Sequence, residues 1–247
     1  LSFLLHKLED VESTNGWTVA RYAQIPSKTL VYTRNQTEGR GRNGRAWVSR
    51  PGESVAFSLV VDGLPSGTLL TWVPLLAGVS VVEIVKNLGV TGVSLKWPND
   101  VLVDGKKLAG VLVEVLPDSR MVVGVGVNID SSLDSLPHAT ATSLALQGIE
   151  VKSIERELLE PIALRLDAHL RVAFRNNSEY AHVAWKKVVA DHLSTLGREV
   201  QWEPVGQAKK IGVVRDLAYD GGLVVREVSS LEDCVIRSGD VFHIERS

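Results

Sequence analysis

Apolar positions along the chain recur with two periods, and the switches between them mark out the expected elements. A short apolar start leads to Glu12-Ser13-Thr14-Asn15, which offers three side chains able to cap a helix over residues 18–23. Residues 29–34 and, after the Pro51-Gly52 turn, residues 55–61 read as strands. A helix is expected over 69–88, ended by Gly89. Its most apolar part, 69–85, contains Pro74, Gly78, Thr71, Ser80 and Glu83, so it reads as a buried helix and not as a membrane span. Residues 93–97 alternate like a strand and stop at Pro98, which cannot continue a ladder. Two long runs, 107–115 and 121–129, are separated by Pro117-Asp118-Ser119 and predict an antiparallel hairpin. After a polar, turn-rich loop over 130–145, Ser153 opens an amphipathic helix. Ile154, Leu158, Ile162, Leu166 and Leu170 lie four apart on it, with Pro161 expected as a kink. A second helix is expected over 180–193.

From Gly197 the pattern changes to short runs at 199–203, 210–217, 223–228 and 240–244, joined by turns such as Asp220-Gly221-Gly222. That suits a small β-barrel. The expected class is α+β: a mixed β-sheet packed with helices over 1–194, followed by the barrel over 195–247. There is no internal repeat.

Composition narrows the function classes. A chain of 247 residues with 45% hydrophobic content can bury a substantial core. Its formal charge of −2 lacks the basic excess of a generic nucleic-acid binder, so any local cationic cluster points to a small anionic ligand. The single cysteine, Cys234, can form neither an internal disulfide nor a multi-thiolate metal site. It reads as a half-buried strand residue in a protein of the reducing cytoplasm. No signal peptide is visible.

One stretch stands apart from both periods: Gln36-Thr37-Glu38-Gly39-Arg40-Gly41-Arg42-Asn43-Gly44-Arg45-Ala46-Trp47. Its glycines oppose helix and allow close approach, while its arginines carry fixed charge on planar, bidentate donors. It can be read as an anion-binding loop or as a solvated Gly/Arg run. Its place between two strands favours the loop. Gly110, Gly124 and Gly126 fall inside the predicted hairpin, where glycine costs stability unless something lies close against the sheet. A flat ligand would supply that reason.

Taken together, Gly39-Arg40-Gly41-Arg42-x-Gly44-Arg45-x-Trp47, Lys96-Trp97-Pro98-Asn99-Asp100 and Lys107-Leu108-Ala109-Gly110, in that order, resemble the bacterial biotin protein ligases of the BirA type. Ser13-Thr14-Asn15, Gly124-x-Gly126-x-Asn128 and the terminal barrel extend the resemblance over nearly the whole chain. Glu38 departs from it, standing where the family tends to have a small residue. The resemblance implies a class II synthetase-like catalytic fold with an SH3-like C-terminal barrel. It also implies activation of biotin with ATP to biotinyl-5′-AMP, then transfer to a lysine of a biotin carboxyl carrier protein. Only twelve residues precede Ser13, too few for a winged-helix domain, so the monofunctional form is expected, with no nucleic-acid or membrane partner, as a monomer or homodimer.

By the same resemblance, Ser13, Thr14, Asn15 and Gln36 hydrogen-bond the ureido end of biotin, and Gly41, Gly110, Gly124 and Gly126 let its rings lie close. Arg40 and Arg42 shield the carboxylate and phosphates, and Lys107 grips the reacting oxygens. Arg45, Trp47, Asn99, Asp100 and Asn128 serve the adenylate. Mg²⁺ is expected to arrive with the ATP phosphates, with Asp100 as a candidate ligand. Core packing is the expected role of Trp97. Physical chemistry agrees with this division. A carboxylate and a phosphate held 4 Å apart repel by about 4 kcal/mol at an effective dielectric of about 20, which fixed cations offset. An acceptor lysine of pKa near 10.4 costs about 4–5 kcal/mol to deprotonate at neutral pH, for which Asp100 is the candidate general base. Loop 39–47 and part of 130–141 are expected to order over the ligand. Alternative readings are a lipoate or octanoate ligase or transferase of the same fold, a nucleic-acid-binding module, and a catalytically dead biotin binder.

Overall fold

A computed structural model describes residues 2–64, 67–175, 178–204 and 208–244. In chain order the elements are β1 (Leu4–Lys7), α1 (Thr14–Ala20), β2 (Thr29–Thr33), β3 (Ser54–Val61), α2 (Val73–Asn87), β4 (Val93–Lys96), β5 (Asp100–Val103), β6 (Lys106–Val115) and β7 (Met121–Asn128). Then come α3 (Glu160–Arg175), α4 (Ser178–Ala190), β8 (Glu199–Trp202), β9 (Lys210–Leu217), β10 (Leu223–Glu227), β11 (Asp233–Ile236) and β12 (Val241–His243). The first seven strands form one mixed sheet in the order β1-β2-β3-β7-β6-β5-β4. The last five form a second, antiparallel sheet, β11-β10-β9-β8-β12, of SH3-like character.

Only β1 and β2 run parallel; the other pairings of the large sheet are antiparallel. The predicted hairpin is present as β6 and β7, closed from Val115↔Met121 back to Ala109↔Val127. Because side chains alternate between sheet faces, Val123, Val125 and Val127 point into the core beneath α2, while Gly124 and Gly126 face the other way. The buried stretch Leu69–Asn87 is long and apolar enough to cross a membrane, but it packs inside the protein. It is not one helix. A 3₁₀ segment, Gly67–Trp72, precedes α2, and Pro74 sits in the first turn of α2, where its missing N–H has no cost.

Other boundaries also moved. The first helix begins at Thr14 and not at 18, because the Ser13 hydroxyl accepts from the Gly16 N–H and so caps it there. The kink expected at Pro161 is a wider π-type turn, Glu155–Leu159, ahead of α3. Proline cannot donate the usual helical bond, and an extra residue in the turn absorbs that loss. β1, β5 and β11, four residues each, escaped the sequence reading.

The second sheet docks on the first through indole donors. Trp72, fully buried, shares its one indole N–H between Tyr219 O and His182 Nδ1, each at 3.0 Å, and Trp97 donates to Gly221 O at 3.0 Å; Tyr219 and Gly221 lie in the turn between β9 and β10. Trp97 is thus a packed core residue that also borders the cavity described next. Cys234 is half-buried in β11.

Candidate functional site

A cavity of about 340 Å³ opens on the glycine-bearing face of the large sheet. Every candidate residue lines it: Ser13, Thr14, Asn15 and Gln36; Arg40, Gly41, Arg42, Arg45 and Trp47; Asn99 and Asp100; Lys107 and Gly110; Gly124, Gly126 and Asn128. Arg40, Arg42 and Lys107 therefore converge on one space, although separate elements carry them.

Three alternate positions of β7 divide the cavity along its length. Above Gly124 lies the Asn15 carboxamide, close enough that a Cβ on Gly124 would sit 2.3 Å from its Oδ1. Above Gly126 lies the Trp47 indole, which a Cβ would meet at 2.5 Å. At Asn128 the side chain turns to the strap beyond β7, donating to Thr142 O at 3.0 Å. The glycines are needed, as expected, but the flat groups lying against them belong to the chain itself. Trp47 stands between a compartment floored by Asn15 and one floored by Asn128. Its Nε1 is buried without a hydrogen-bond partner among the described residues.

The first compartment has a polar end built by α1 and the start of the Arg/Gly loop. Gln36 Oε1 accepts from the Thr14 N–H at 2.7 Å and lies 3.2 Å from the Thr14 hydroxyl. Thr14 and Asn15 sit in the first helical turn because Ser13 caps it, so capping and cavity lining coincide in one triplet. Asn15 spends both amide hydrogens on β6, to Leu112 O and Glu114 Oε2, and accepts from the Ser58 hydroxyl at 2.6 Å.

Cations gather beyond it. Lys107 Nζ lies 2.6 Å from Asp100 Oδ1 and 5.8 Å from the Trp47 ring centre, within cation–π range. Asp100 is thus engaged with a cation and not free. Arg42 Nη1 reaches Asn99 Oδ1 at 3.4 Å, and Asn99 is held by donating to Val111 O at 2.7 Å. Burial pushes the Arg42 pKa down and neighbouring Arg45 adds to that, while Asp240 and Asp100 pull it up. The guanidinium stays charged. Arg40 has no carboxylate partner among the described residues, and its guanidinium lies beside Gly16.

The loop carrying these arginines is folded into a small closed unit. Gly41 N–H donates to Arg45 O and Trp47 N–H to Gly39 O, so its two limbs pair across a 3₁₀ turn at Arg42–Gly44. On the far side of the cavity the strap runs beside β6, with Lys107 N–H donating to Thr140 O and Thr142 N–H to Lys107 O. Residues 140–142 are therefore tied to the sheet, whereas much of 132–140 lies exposed.

With this geometry in hand, comparison with known proteins is decisive. The Biotin/lipoate A/B protein ligase family matches residues 7–130. The biotin–acetyl-CoA-carboxylase ligase of Mycobacterium tuberculosis is 33% identical over 94% of this chain and 86% of its own length. The chain belongs to the biotin protein ligase family. Its relatives include the biotin–acetyl-CoA-carboxylase ligase of Paracoccus denitrificans, 28% identical over 95% of this chain and 98% of that one. Among solved structures, the Aquifex aeolicus biotin protein ligase in complex with biotin and ATP superposes with a TM-score of 0.78. It shares 26% identity, covering 98% of this chain and 99% of that one. A ligase of this family is an enzyme, so a purely non-enzymatic nucleic-acid module is set aside.

Several cavity residues had no signal in the sequence. Asp240, just before β12, bonds Arg45 at 2.6 Å and lies 3.8 Å from Arg42, and Gly239 O accepts from Arg42 at 3.4 Å. His138 and Phe242 also border the cavity, as does Lys96, which the sequence shows only as part of the Lys96–Asp100 motif. A Ser-Gly-Asp turn before a strand reads as an ordinary turn, and nothing local reveals that it closes on a loop 195 residues earlier.

Proposed function

We propose that this ligase couples ATP to biotin and then to a carboxylase carrier lysine. In the first step a biotin carboxylate oxygen attacks the α-phosphorus of ATP, forming a mixed anhydride and releasing pyrophosphate. In the second the carrier amine attacks the acyl carbon, forming an amide and releasing AMP. The observation that carries this reading is one cavity with a hydrogen-bonding wall at one end and with Arg40, Arg42 and Lys107 lining the same space.

In that space two anions have to meet. Arg42 and Lys107 supply fixed positive charge there in a partly dried space, where it acts more strongly than in water. Arg40 stands with its charge uncommitted. The wall of Thr14, Asn15 and Gln36 suits a cyclic urea, which carries both N–H donors and a carbonyl. It suits an alkyl chain or a dithiolane poorly, which favours biotin over lipoate or octanoate. For the second step Asp100 can take the proton of the incoming amine only by loosening its contact with Lys107. Charge developing on the substrate beside Lys107 would draw that contact apart.

Among the described residues no group of three or more His, Cys, Asp or Glu side chains could hold a metal by itself. Mg²⁺ would be carried in on the nucleotide's phosphates, with Asp100, a carboxylate of the cavity lining, as a candidate ligand. Bound so, it would neutralise phosphate charge.

Pyrophosphate release from ATP, with biotin, lipoate or octanoate as the sole acid, tests the reading. Wild type is expected to respond to biotin, and Lys107→Ala to lose roughly 10²-fold or more in rate. Equal response to octanoate, or an unaffected Lys107→Ala, would refute it.

A further inference from the structure

We propose that Glu114 and Ser58 are positioning residues that set the Asn15 carboxamide so that it offers the acid compartment an acceptor and no donor. This selects acids whose far end carries N–H groups, and it rests on the biotin reading above.

Register places Ser58, Gly124 and Leu112 in one row across β3, β7 and β6. Asn15 lies over the middle of that row, 4% exposed. Its two N–H groups point to β6, to Leu112 O at 3.3 Å and Glu114 Oε2 at 2.7 Å. Its oxygen points to β3, where the fully buried Ser58 hydroxyl donates to it at 2.6 Å. The opposite rotamer would turn the amide oxygen on a carboxylate and a carbonyl, two acceptors facing a third, so the orientation is forced.

With both hydrogens used, what remains to the cavity is the second lone pair of Oδ1. A carboxylate accepting from the same amide polarises it and strengthens that lone pair as an acceptor. A cyclic urea supplies the N–H it lacks. A methyl or disulfide end supplies none and leaves that second lone pair without a donor, the kind of mismatch by which polar sites reject isosteres. Glu114 does not line the cavity and acts only through Asn15.

The test measures steady-state pyrophosphate release by wild type, Glu114→Ala, Glu114→Gln and Ser58→Ala with biotin and with desthiobiotin, which keeps the cyclic urea. Glu114→Ala is expected to raise the KM of both acids about tenfold, the loss of one charge-assisted hydrogen bond, with kcat and the KM for ATP nearly unchanged. Ser58→Ala is expected to move in the same direction, and Glu114→Gln, whose side-chain oxygen can still accept from Asn15 but without the charge, to restore part of the loss and fall between Glu114→Ala and wild type. An unchanged biotin KM in Glu114→Ala, an equal rise in the KM for ATP, a failure of Gln to restore, or sparing of desthiobiotin would each overturn the positioning role alone. Wild type inactive with biotin would overturn the proposed function as well.

Discussion

Asp240 illustrates how one side chain from the far end of the chain completes the site. Its carboxylate lies between Arg42 and Arg45, where it holds two like charges together and ties the Arg/Gly loop to the second sheet. Arg45 is well exposed, so that pair by itself adds little to stability. Its consequence is positional: the loop that roofs the cavity is fastened from above. Asp240→Asn keeps the shape but removes the charge, and is expected to let the acyl-adenylate escape to water severalfold faster, with folding stability hardly altered. Trapping of released adenylate in a single-turnover experiment measures this; unchanged retention would show that the loop closes without the fastening.

On the scale of elements, β7 shows why a strand can be rich in glycine and still be central. Its core-facing valines bind it to α2, and its glycines surrender the other face to Asn15 and Trp47. Gly126→Ala is expected to push the indole off the sheet, raising the KM for both substrates while the strand itself still forms. The shift is read in kinetics and in the fluorescence of the six tryptophans. The start of the α3 region depends on local chemistry instead. Glu157 Oε1 accepts from the Ser153 N–H at 2.8 Å, and the Ser153 hydroxyl lies 3.4 Å from the Arg156 N–H, a reciprocal cap. Ser153→Ala is expected to cost about 1 kcal/mol, with no kinetic effect at the distant cavity. Chemical denaturation measures it.

For the whole molecule, the junction of the two sheets makes stability sensitive to acid. His243 on β12 is pushed down to about 4, chiefly by burial and further by Lys96 and Arg198, and burial also lowers His182 and His192. His182 is buried with Nδ1 accepting from Trp72, an arrangement of the neutral ring. Below the ordinary histidine value of 6.5 the unfolded chain takes up these protons before the folded one does. This contribution is complete above about pH 6.5 and is lost as the pH falls from there toward about 4. Melting temperature against pH should decline through that window, and His243→Gln should flatten the decline. An unaltered slope in the variant would place the sensitivity elsewhere.

Local pattern alone sufficed for the β6–β7 hairpin, the buried α2 and the strand-rich tail, because period and turn residues are written along short stretches, whereas the roles expected at the site came from the family resemblance of its motifs. Every candidate residue lines one cavity, although the resemblance and not the period names them: Thr14 and Asn15 lie in the first turn of α1, and Asp100 lies on β5, which shows no readable period. What only folding decided was mutual placement. The stationing of Asn15 over Gly124 and Trp47 over Gly126, the engagement of Asp100 by Lys107, and the closure of Asp240 onto the Arg/Gly loop are long-range encounters. No local propensity encodes such contacts, since their energies arise only when distant segments exclude water together.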